Sequence, residues 1–393
     1  MNSRRYQETH PWIDFRYEAR LDEVSALLGE AYSKCQHLAG TPLQPGLAQS
    51  LSNVYLVRGA VATTAIEGNT LTEQEVMALR EQHRSLPTSQ RYLQQEVDNV
   101  IAALEAIDRG VLSGEKFRLT PEWIAEQNER ILAGLDLPEH VRPGEYTTSQ
   151  LTVGGGFYRP VSPEDVPYLV LRLCEWLEEM RAPLDNPATP PHHRFMVSFC
   201  TAVLGHLYLA WIHPFGDGNG RTARMLECAL LANSGVVPWV SANLLSDHYN
   251  RTRSRYYEML DRASRAREVR GFVAYSVQGF VDMMRGQIED VQAMQRRVAW
   301  INYVHEQFQE EPSGPTRERR RLLTLTLPED RPTSRREIRH LSPQLAEMYA
   351  GKEDKTVTRD LNRLLELRLI GRHQAGYRAL VEVMDAFMPA TSS

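Results

Sequence analysis

The sequence has few cysteines and no long apolar run, and both absences argue against whole classes of protein. Its 393 residues include four cysteines without a Cys-x-x-Cys pair, which speaks against a disulfide framework or a cysteine-bound zinc and is typical of reduced thiols in the cytoplasm. The longest apolar stretch, residues 201–212, contains Gly205 and His206 and is too short to cross a bilayer. The N-terminal residues lack the apolar core of a signal peptide. We therefore expect a soluble, cytoplasmic protein with no membrane partner.

The chain also lacks an excess of charge of one sign. Lys and Arg number 45 and Asp and Glu 50, so the net charge is -5, and this total indicates no nucleic-acid partner. The distribution is uneven, however, because residues 312–393 carry 15 basic and 11 acidic residues. A nucleic-acid partner therefore stays open for the C-terminal part alone.

Apolar residues recur at helical spacing along most of the chain, which predicts a mostly α-helical fold. At about 150 residues per domain the length allows two or three domains. We expect an N-terminal helical segment over residues 1–110, a core over residues 111–310 and a C-terminal domain over residues 316–393. The charged stretch EEPSGPTRERR, which begins at Glu310, is interpreted as the linker before that domain.

Residues 142–168 break the helical pattern of the core. Three consecutive glycines lie there among β-prone Tyr, Thr and Val, and several prolines follow, which predicts a short β-hairpin and then an extended segment. Two apolar helices come next, separated by the loop HPFGDGNGRTAR over residues 213–224. This loop carries the strongest chemical signal in the sequence.

The first half of the loop offers a base and a metal ligand. His213 closes an apolar helix and faces a loop, a position where an imidazole can act as a general base near neutral pH. Asp217 is a hard oxygen ligand that suits Mg²⁺ beside phosphates. Either residue alone is weak evidence, since a single histidine after an apolar helix is usually structural.

The second half of the loop offers an anion site. Gly218, Asn219 and Gly220 let backbone N–H groups approach an anion closely, at the positive N-terminus of the next helix. Arg221 and Arg224 are three residues apart on one face of that helix and present forked donors to phosphate oxygens. Together with the base and the metal ligand, this combination predicts a nucleotide phosphate site.

At every specified position the loop resembles the Fic motif, HxFx(D/E)GNGRxxR. That family transfers a nucleotide, usually AMP from ATP, to a hydroxyl side chain of a target protein. The resemblance implies that His213 deprotonates a target Ser, Thr or Tyr, and that Asp217 holds Mg²⁺ against the α- and β-phosphates. It implies that Arg221 and Arg224 bind the β/γ end of ATP, and it places Thr222 in the same ATP site. Kinase-like relatives carry ANKR instead of GNGR, so the retained glycines favour nucleotidyl transfer.

Residues 149–167 resemble the flap hairpin of the family. The resemblance places Val153, Gly154, Gly155 and Gly156 at the ATP, and the exposed hairpin edge would pair with an extended segment of the target protein. A plain surface hairpin is the alternative.

The segment TTAIEGN, which begins at Thr63, resembles the inhibitory motif (S/T)xxxE(G/N) of the family. The resemblance implies that Glu67 pairs with Arg224, occupies the place of the γ-phosphate and restrains the enzyme. Without the Fic motif, Glu67 would read as an ordinary acid at a helix end.

The adenine pocket is less defined by the sequence. Tyr256 and Tyr257 match an aromatic pair in the helix that follows the core in relatives. Tyr257 would stack on adenine, with core packing as the alternative. Ser264 stands where some relatives carry an adenine-contacting asparagine, which leaves UTP or another nucleotide open.

The C-terminal domain resembles a winged helix-turn-helix, with helices predicted over TSRREIRHL and DKTVTRDLNRLLELRLIG and a hairpin over GRHQAGYRAL. Such a domain would bind DNA, or bind protein and dimerise instead. The residues predicted to face DNA are Thr356, Thr358, Arg359, Asn362 and Arg363 on the second helix and Arg372, Gln374 and Arg378 on the wing.

The leading hypothesis is a protein adenylyltransferase that uses ATP and Mg²⁺, labels a target protein and itself, and is autoinhibited by Glu67. A homodimer is compatible with this family. One alternative is the reverse use of the site, in which Glu67 positions a water to remove AMP from a modified protein. Another is a DNA-binding regulator in which the Fic site only senses a nucleotide.

Overall fold

A computed structural model of the protein describes residues 5–17, 24–114, 116–153 and 158–385. The chain divides into two compact units, residues 1–288 and 289–393. Both are mainly helical, as the sequence predicts. The helices of the first unit are α1 (Arg5–Thr9), α2 (Ser25–Ala39), α3 (Pro45–Ile66), α4 (Glu73–Glu81), α5 (Arg91–Ser113), α6 (Pro121–Leu132), α7 (Val166–Arg181), α8 (Pro191–Ile212), α9 (Asn219–Ala232), α10 (Leu244–Arg251) and α11 (Arg253–Ala266).

Helix α12 (Arg270–Gln307) runs from the first unit into the second. The second unit continues with α13 (Pro315–Thr326), α14 (Pro343–Tyr349), α15 (Asp354–Glu366) and the antiparallel pair β1 (Ile370–His373) and β2 (Gly376–Ala379).

The start of α4 shows how local sequence sets a boundary. The hydroxyl of Thr72 accepts a hydrogen bond from the Glu75 N–H, and the Glu75 carboxylate accepts one from the Thr72 N–H. This reciprocal pair satisfies two backbone donors that a helix start leaves free. The pair fixes where α4 begins and so limits the short turn between α3 and α4. Glu67 is the first residue after α3.

Helix α8 lies in the core of the first unit and packs against α7 and α9. It has 22 residues and is long and apolar enough to cross a membrane by length and composition alone. The apolar residues 201–212 are only part of this helix, which begins at Pro191, so the shortness of that stretch does not by itself exclude a membrane span. Most of its apolar window is buried inside the fold, and a buried core helix of a soluble protein has the same composition. The helix is therefore weak evidence for a membrane protein.

The second unit is built around the C-terminal end of α12. Trp300, Val304 and Phe308 are buried there in one core with side chains from α13, α14, α15 and the hairpin. For this reason the two units divide at residue 288, earlier than the predicted linker. Part of that linker is helical, since α13 begins at Pro315.

The predicted helix over TSRREIRHL is only a single 3₁₀ turn, Glu337–His340. The second predicted helix and the hairpin are present as α15 and β1–β2, with His373 opposite Gly376 at the turn. The assignment of this unit as a winged helix stays a prediction.

Several residues predicted to face DNA are engaged within the second unit. Arg363 forms ion pairs with Glu311 and Glu366, and Arg378 forms one with Glu382. Thr356 and Thr358 are half-buried, whereas Arg359, Asn362, Arg372 and Gln374 are exposed. The surface available to a phosphate backbone is therefore smaller than the sequence predicts.

Candidate functional site

The site is built where α8 ends and α9 begins. His213 ends α8 with a left-handed backbone (φ 54°), and its N–H donates to the Leu209 carbonyl. Gly218, with φ 76°, then stands immediately before α9. These two left-handed residues reverse the chain within a few residues, so the imidazole and the first turn of α9 face the same space.

His213 has the arrangement of a general base. Its Nδ1 lies 3.3 Å from the Ala210 carbonyl oxygen, and because a carbonyl can only accept, Nδ1 carries the proton of the neutral ring. The Nε2 atom is then free to take a proton from another molecule. Burial lowers the pKa of His213 to about 4, although its contact with Ala210 and the nearby Glu67 and Asp217 carboxylates act in the opposite direction. The ring is therefore neutral at physiological pH.

Two asparagines hold the loop in shape. The side chain of Asn219 accepts from the Phe215 N–H (2.9 Å) and donates to the Phe215 carbonyl (2.7 Å). Asn128, on α6 and fully buried, donates to the Asp217 carbonyl at 2.9 Å and accepts from the Gly144 N–H at 3.0 Å. Sequence reasoning missed Asn128, which lies 89 residues before its loop partner.

Thr222 points away from the phosphate site. Its hydroxyl donates to the Gly218 carbonyl and accepts from the Asn128 amide, and the residue is fully buried. Its side chain therefore supports the loop, whereas we had predicted that it contacts ATP. The side chain of Asn219 is likewise bonded to the loop, so only its backbone N–H is left for an anion.

The N-terminus of α9 lies where the sequence predicts an anion site. The first backbone N–H groups of a helix have no intrahelical partner, and here they belong to Asn219, Gly220 and Arg221. A Cβ on Gly220 would lie 2.5 Å from Glu67 Oε1. The absence of a side chain at this position lets an acidic group come directly against the helix end.

Glu67 occupies that position. Its Oε1 accepts from Arg224 Nη2 at 2.6 Å, and Arg224 also donates from Nε to the Thr63 hydroxyl at 2.6 Å and from Nη2 to the Thr63 carbonyl at 3.1 Å. Arg224 is 2% exposed, whereas the Glu67 side chain is 34% exposed. Burial raises the pKa of Glu67, but the charge and hydrogen bond of Arg224, together with the Arg221 charge, outweigh burial, so the net pKa lies below its usual range. The structure thus brings together the two residues that the family resemblance pairs.

Arg221 has a second acidic partner that the sequence did not reveal. Its Nη1 lies 3.5 Å from Glu96 Oε1, and Glu96 Oε2 accepts from the side chain of Asn69 at 2.8 Å. Asn69 ends the turn that begins with Glu67. Arg221 Nε and Nη1 are buried without a hydrogen-bond partner in the described part of the chain, so the guanidinium keeps donors that its acidic neighbours do not use.

Asp217 fits a magnesium ion that a nucleotide carries. Its carboxylate is 46% exposed, lies 3.3 Å from Arg221 Nη2 and accepts from the Gly218 N–H. Across the described ranges, no group of three or more His, Cys, Asp or Glu side chains could hold a metal by itself. One carboxylate with phosphates and water is nevertheless the usual set for Mg²⁺, so Asp217 suits a metal that arrives with the substrate.

The two tyrosines of α11 have different environments. Tyr256 is buried and its hydroxyl accepts from Arg224 Nη1 at 3.4 Å. Tyr257 is 44% exposed, so its ring is open to stack on a base. Ser264 is buried and donates to the Asp261 carbonyl within its own helix. Adenine stacking by Tyr257 stays a prediction.

The described part of the predicted flap is one antiparallel bridge. Val153 and Tyr158 exchange both backbone hydrogen bonds, and the Tyr158 hydroxyl donates to the Trp211 carbonyl at 2.7 Å near the end of α8. Gly154, Gly155 and Gly156 lie outside the described residues. The base of the hairpin is therefore tied to the helix that ends in His213.

The chain is similar to known proteins in sequence and in fold. Protein adenylyltransferase fic-1 from Caenorhabditis briggsae is 31% identical over 230 residues, which cover 57% of this chain and 41% of that protein. Protein adenylyltransferase Fic from Drosophila ananassae is 29% identical over 213 residues, covering 54% and 38%. The chain thus spans about two fifths of the length of these curated relatives.

Among solved structures, Fic-1 from Caenorhabditis elegans matches with a TM-score of 0.56 and 25% identity over 70% of this chain and 74% of that one. A Fic family protein from Desulfovibrio desulfuricans G20 matches with a TM-score of 0.55 and 21% identity over 93% and 97%. Residues 118–231 match the model of the Fic/DOC family. The chain therefore carries a Fic domain, and it has the mostly helical Fic fold.

Proposed function

We propose that this protein is an adenylyltransferase that moves AMP from ATP to a hydroxyl side chain of a protein, and that Glu67 restrains it. The observation that carries the proposal is the 2.6 Å contact between Glu67 and Arg224 at the N-terminus of α9. An enzyme that binds an anionic chain of phosphates needs such a guanidinium, and a carboxylate in its fork mimics the ligand.

The residues around this contact divide the reaction among them. His213 Nε2 takes the proton of the target hydroxyl, whose oxygen attacks the α-phosphorus of ATP, and pyrophosphate leaves with the electron pair of the broken P–O bond. The free N–H groups of α9 and Arg221 hold the phosphates in line for that attack. Mg²⁺, held by Asp217, supplies positive charge against the phosphates when it is bound.

The target would enter along the hairpin that Val153 and Tyr158 close. An extended segment of another protein can add to the edge of such a hairpin through backbone hydrogen bonds. Because Tyr158 is tied to Trp211, a segment held there would present its hydroxyl near the end of α8, where His213 lies. Because such pairing uses the backbone, the side chains of this protein do not reveal which target it modifies.

The position of the label separates this proposal from phosphoryl transfer. We expect protein to be labelled by ATP that carries the label on the α-phosphate and not by ATP labelled on the γ-phosphate, because the attack is at the α-phosphorus. The measurement is autoradiography of the purified protein and of a cell lysate incubated with each nucleotide. Label from the γ-position alone would overturn the adenylyltransferase proposal in favour of a kinase.

Removal of AMP is a second candidate, and the free oxygen of Glu67 favours it. Among the described residues Glu67 Oε2 has no hydrogen-bond partner, while Oε1 is held by Arg224. The nearby carboxylate also acts on the pKa of His213, so a water between the two is well placed for attack on a modified side chain.

For this second activity we expect wild-type protein to release AMP from a pre-modified target, and the Glu67→Gly variant to release at least tenfold less, since the general base would be lost. The measurement is AMP release followed by chromatography. Equal release by the two proteins would exclude a role for Glu67 in removal.

A further inference from the structure

A chain of buried polar groups extends from Arg224 into the core behind the site. The Tyr256 hydroxyl accepts from Arg224 Nη1 at 3.4 Å and lies 2.8 Å from His206 Nε2. His206 Nδ1 lies 3.2 Å from Glu227 Oε1. The same oxygen of Glu227 accepts from the Tyr249 hydroxyl at 2.9 Å. The chain thus joins the arginine that Glu67 holds to a second acid.

Glu227 is unusual for its burial. It is 1% exposed, on the same helix as Arg224, and the tyrosine and histidine rings beside it are also buried. A buried carboxylate is costly unless donors satisfy it. Here the Tyr249 hydroxyl donates to Glu227, and His206 Nδ1 lies 3.2 Å from it without a hydrogen bond in the described part of the chain. We therefore look for a role of Glu227 in its charge or in its hydrogen bonding.

The negative charge of Glu227 beside His206 sets the direction of the whole chain. The carboxylate of Glu227 lies 3.2 Å from His206 Nδ1 and offers only lone pairs, so its negative charge favours the tautomer in which Nδ1 carries the proton. His206 Nε2 must then accept from the Tyr256 hydroxyl. Because that hydroxyl donates its one proton to His206, it can only accept a hydrogen bond from Arg224.

We propose that Glu227 is a positioning residue for Arg224 and acts through His206 and Tyr256. When a nucleotide phosphate takes the place of Glu67, Arg224 loses one of its anchors, and the Tyr256 acceptor keeps the guanidinium aimed at the phosphate. This inference rests on the proposed function only in that Arg224 binds the nucleotide.

A glutamine at position 227 would have the same shape but a different character. Its amide can donate as well as accept, so it permits the other tautomer of His206, in which Nε2 donates to Tyr256. The Tyr256 hydroxyl would then be free to turn its proton toward Arg224, which repels the guanidinium. The Glu227→Gln variant therefore tests the direction of the chain with little change in packing.

The experiment uses the full chain with Glu67→Gly, so that the phosphate site is open. We expect the added Glu227→Gln substitution to raise both the Kd of ATP by calorimetry and the KM for ATP about tenfold, with kcat changed less than twofold. Tyr256→Phe should give a similar increase. The two together should do no more than either alone, because both break the same chain.

Three controls keep the outcome clear. Glu179→Gln, an exposed acid on α7, should leave the Kd of ATP unchanged, and thermal unfolding shows whether each variant is folded. In the unaltered protein, ¹⁵N chemical shifts should show His206 protonated on Nδ1. Protonation on Nε2, an unchanged Kd in Glu227→Gln, or a double variant whose effect is the product of the single ones would each overturn the proposal.

Failure of the inference is distinguishable from failure of the proposed function. If the Glu67→Gly protein binds ATP but labels no protein, the adenylyltransferase proposal fails, while the Kd comparison still tests Glu227. If it labels protein and the Glu227 and Tyr256 variants bind ATP normally, only the inference fails.

Discussion

Replacement of Glu67 by glycine is expected to raise the incorporation of α-labelled AMP into the protein and into added targets by at least tenfold. In the unaltered protein the Glu67 carboxylate lies 2.6 Å from Arg224 Nη2, where an incoming phosphate would have to bind. Two negative groups repel each other at one buried guanidinium, so Glu67 weakens the binding of ATP phosphate there. Each tenfold loss of ATP affinity corresponds to about 1.4 kcal/mol of binding free energy. Removal of the carboxylate frees the fork and the first N–H groups of α9 together.

The measurement is the initial rate of labelling at a fixed ATP concentration, with His213→Ala added to the Glu67 variant as the background. Glu67→Gln is the informative companion, because it keeps the size of the side chain and removes its charge. Glu81→Gly, an exposed position at the end of α4, controls for the effect of a glycine near a helix end. Equal rates for wild type and Glu67→Gly would show that the Glu67–Arg224 contact is structural and does not restrain the enzyme.

The pairing of Glu67 with Arg224 could be predicted because both residues belong to short motifs. Each motif is local in the sequence, and the resemblance to the Fic family is what pairs their two side chains. The structure adds the contacts of Thr63, the first residue of the inhibitory motif, which holds Arg224 through its hydroxyl and its carbonyl. Prediction succeeded where the chemistry lies within a few consecutive residues.

The residues that hold the site in shape could not be predicted in this way. Asn128 supports the loop from α6, and Glu96 reaches Arg221 from α5. An isolated Asn or Glu on an amphipathic helix is usually a solvated side chain, and only tertiary packing decides otherwise. The same reason explains Thr222, whose place in the motif suggested the ligand although its hydroxyl faces Asn128.

The division of the chain was also set by packing and not by composition. The segment rich in Pro, Gly and charge that reads as a linker lies after the point where the second unit begins. Trp300 and Val304 on the continuous helix α12 already belong to the second core. A linker pattern marks where the chain turns, whereas apolar side chains on a long helix can belong to two different cores along its length.

The second large effect is expected at His213. Replacement by alanine should lower the labelling rate of the Glu67→Gly protein by about 10²- to 10⁴-fold, the range that a general base contributes, with the affinity for ATP nearly unchanged. Because His213 has a positive φ of 54°, alanine is strained there, and His213→Asn, which tolerates that backbone, should give the same loss. His193→Ala, an exposed position near the start of α8, is the matched control.

The labelling rate should also depend on pH in a direction set by the protonation of His213. A base works in its deprotonated form, and burial holds the pKa of His213 at about 4, so the rate contributed by this group should be flat from pH 6 to pH 8. It should fall only as the pH drops through about 4 and the ring takes up a proton. The test is kcat/KM against pH for the free Glu67→Gly enzyme, whose lost carboxylate would lower that pKa further. A midpoint near the ordinary histidine value of about 6.5 would mean that the ring is solvated when it acts, and a rate independent of His213 would remove it from the chemistry.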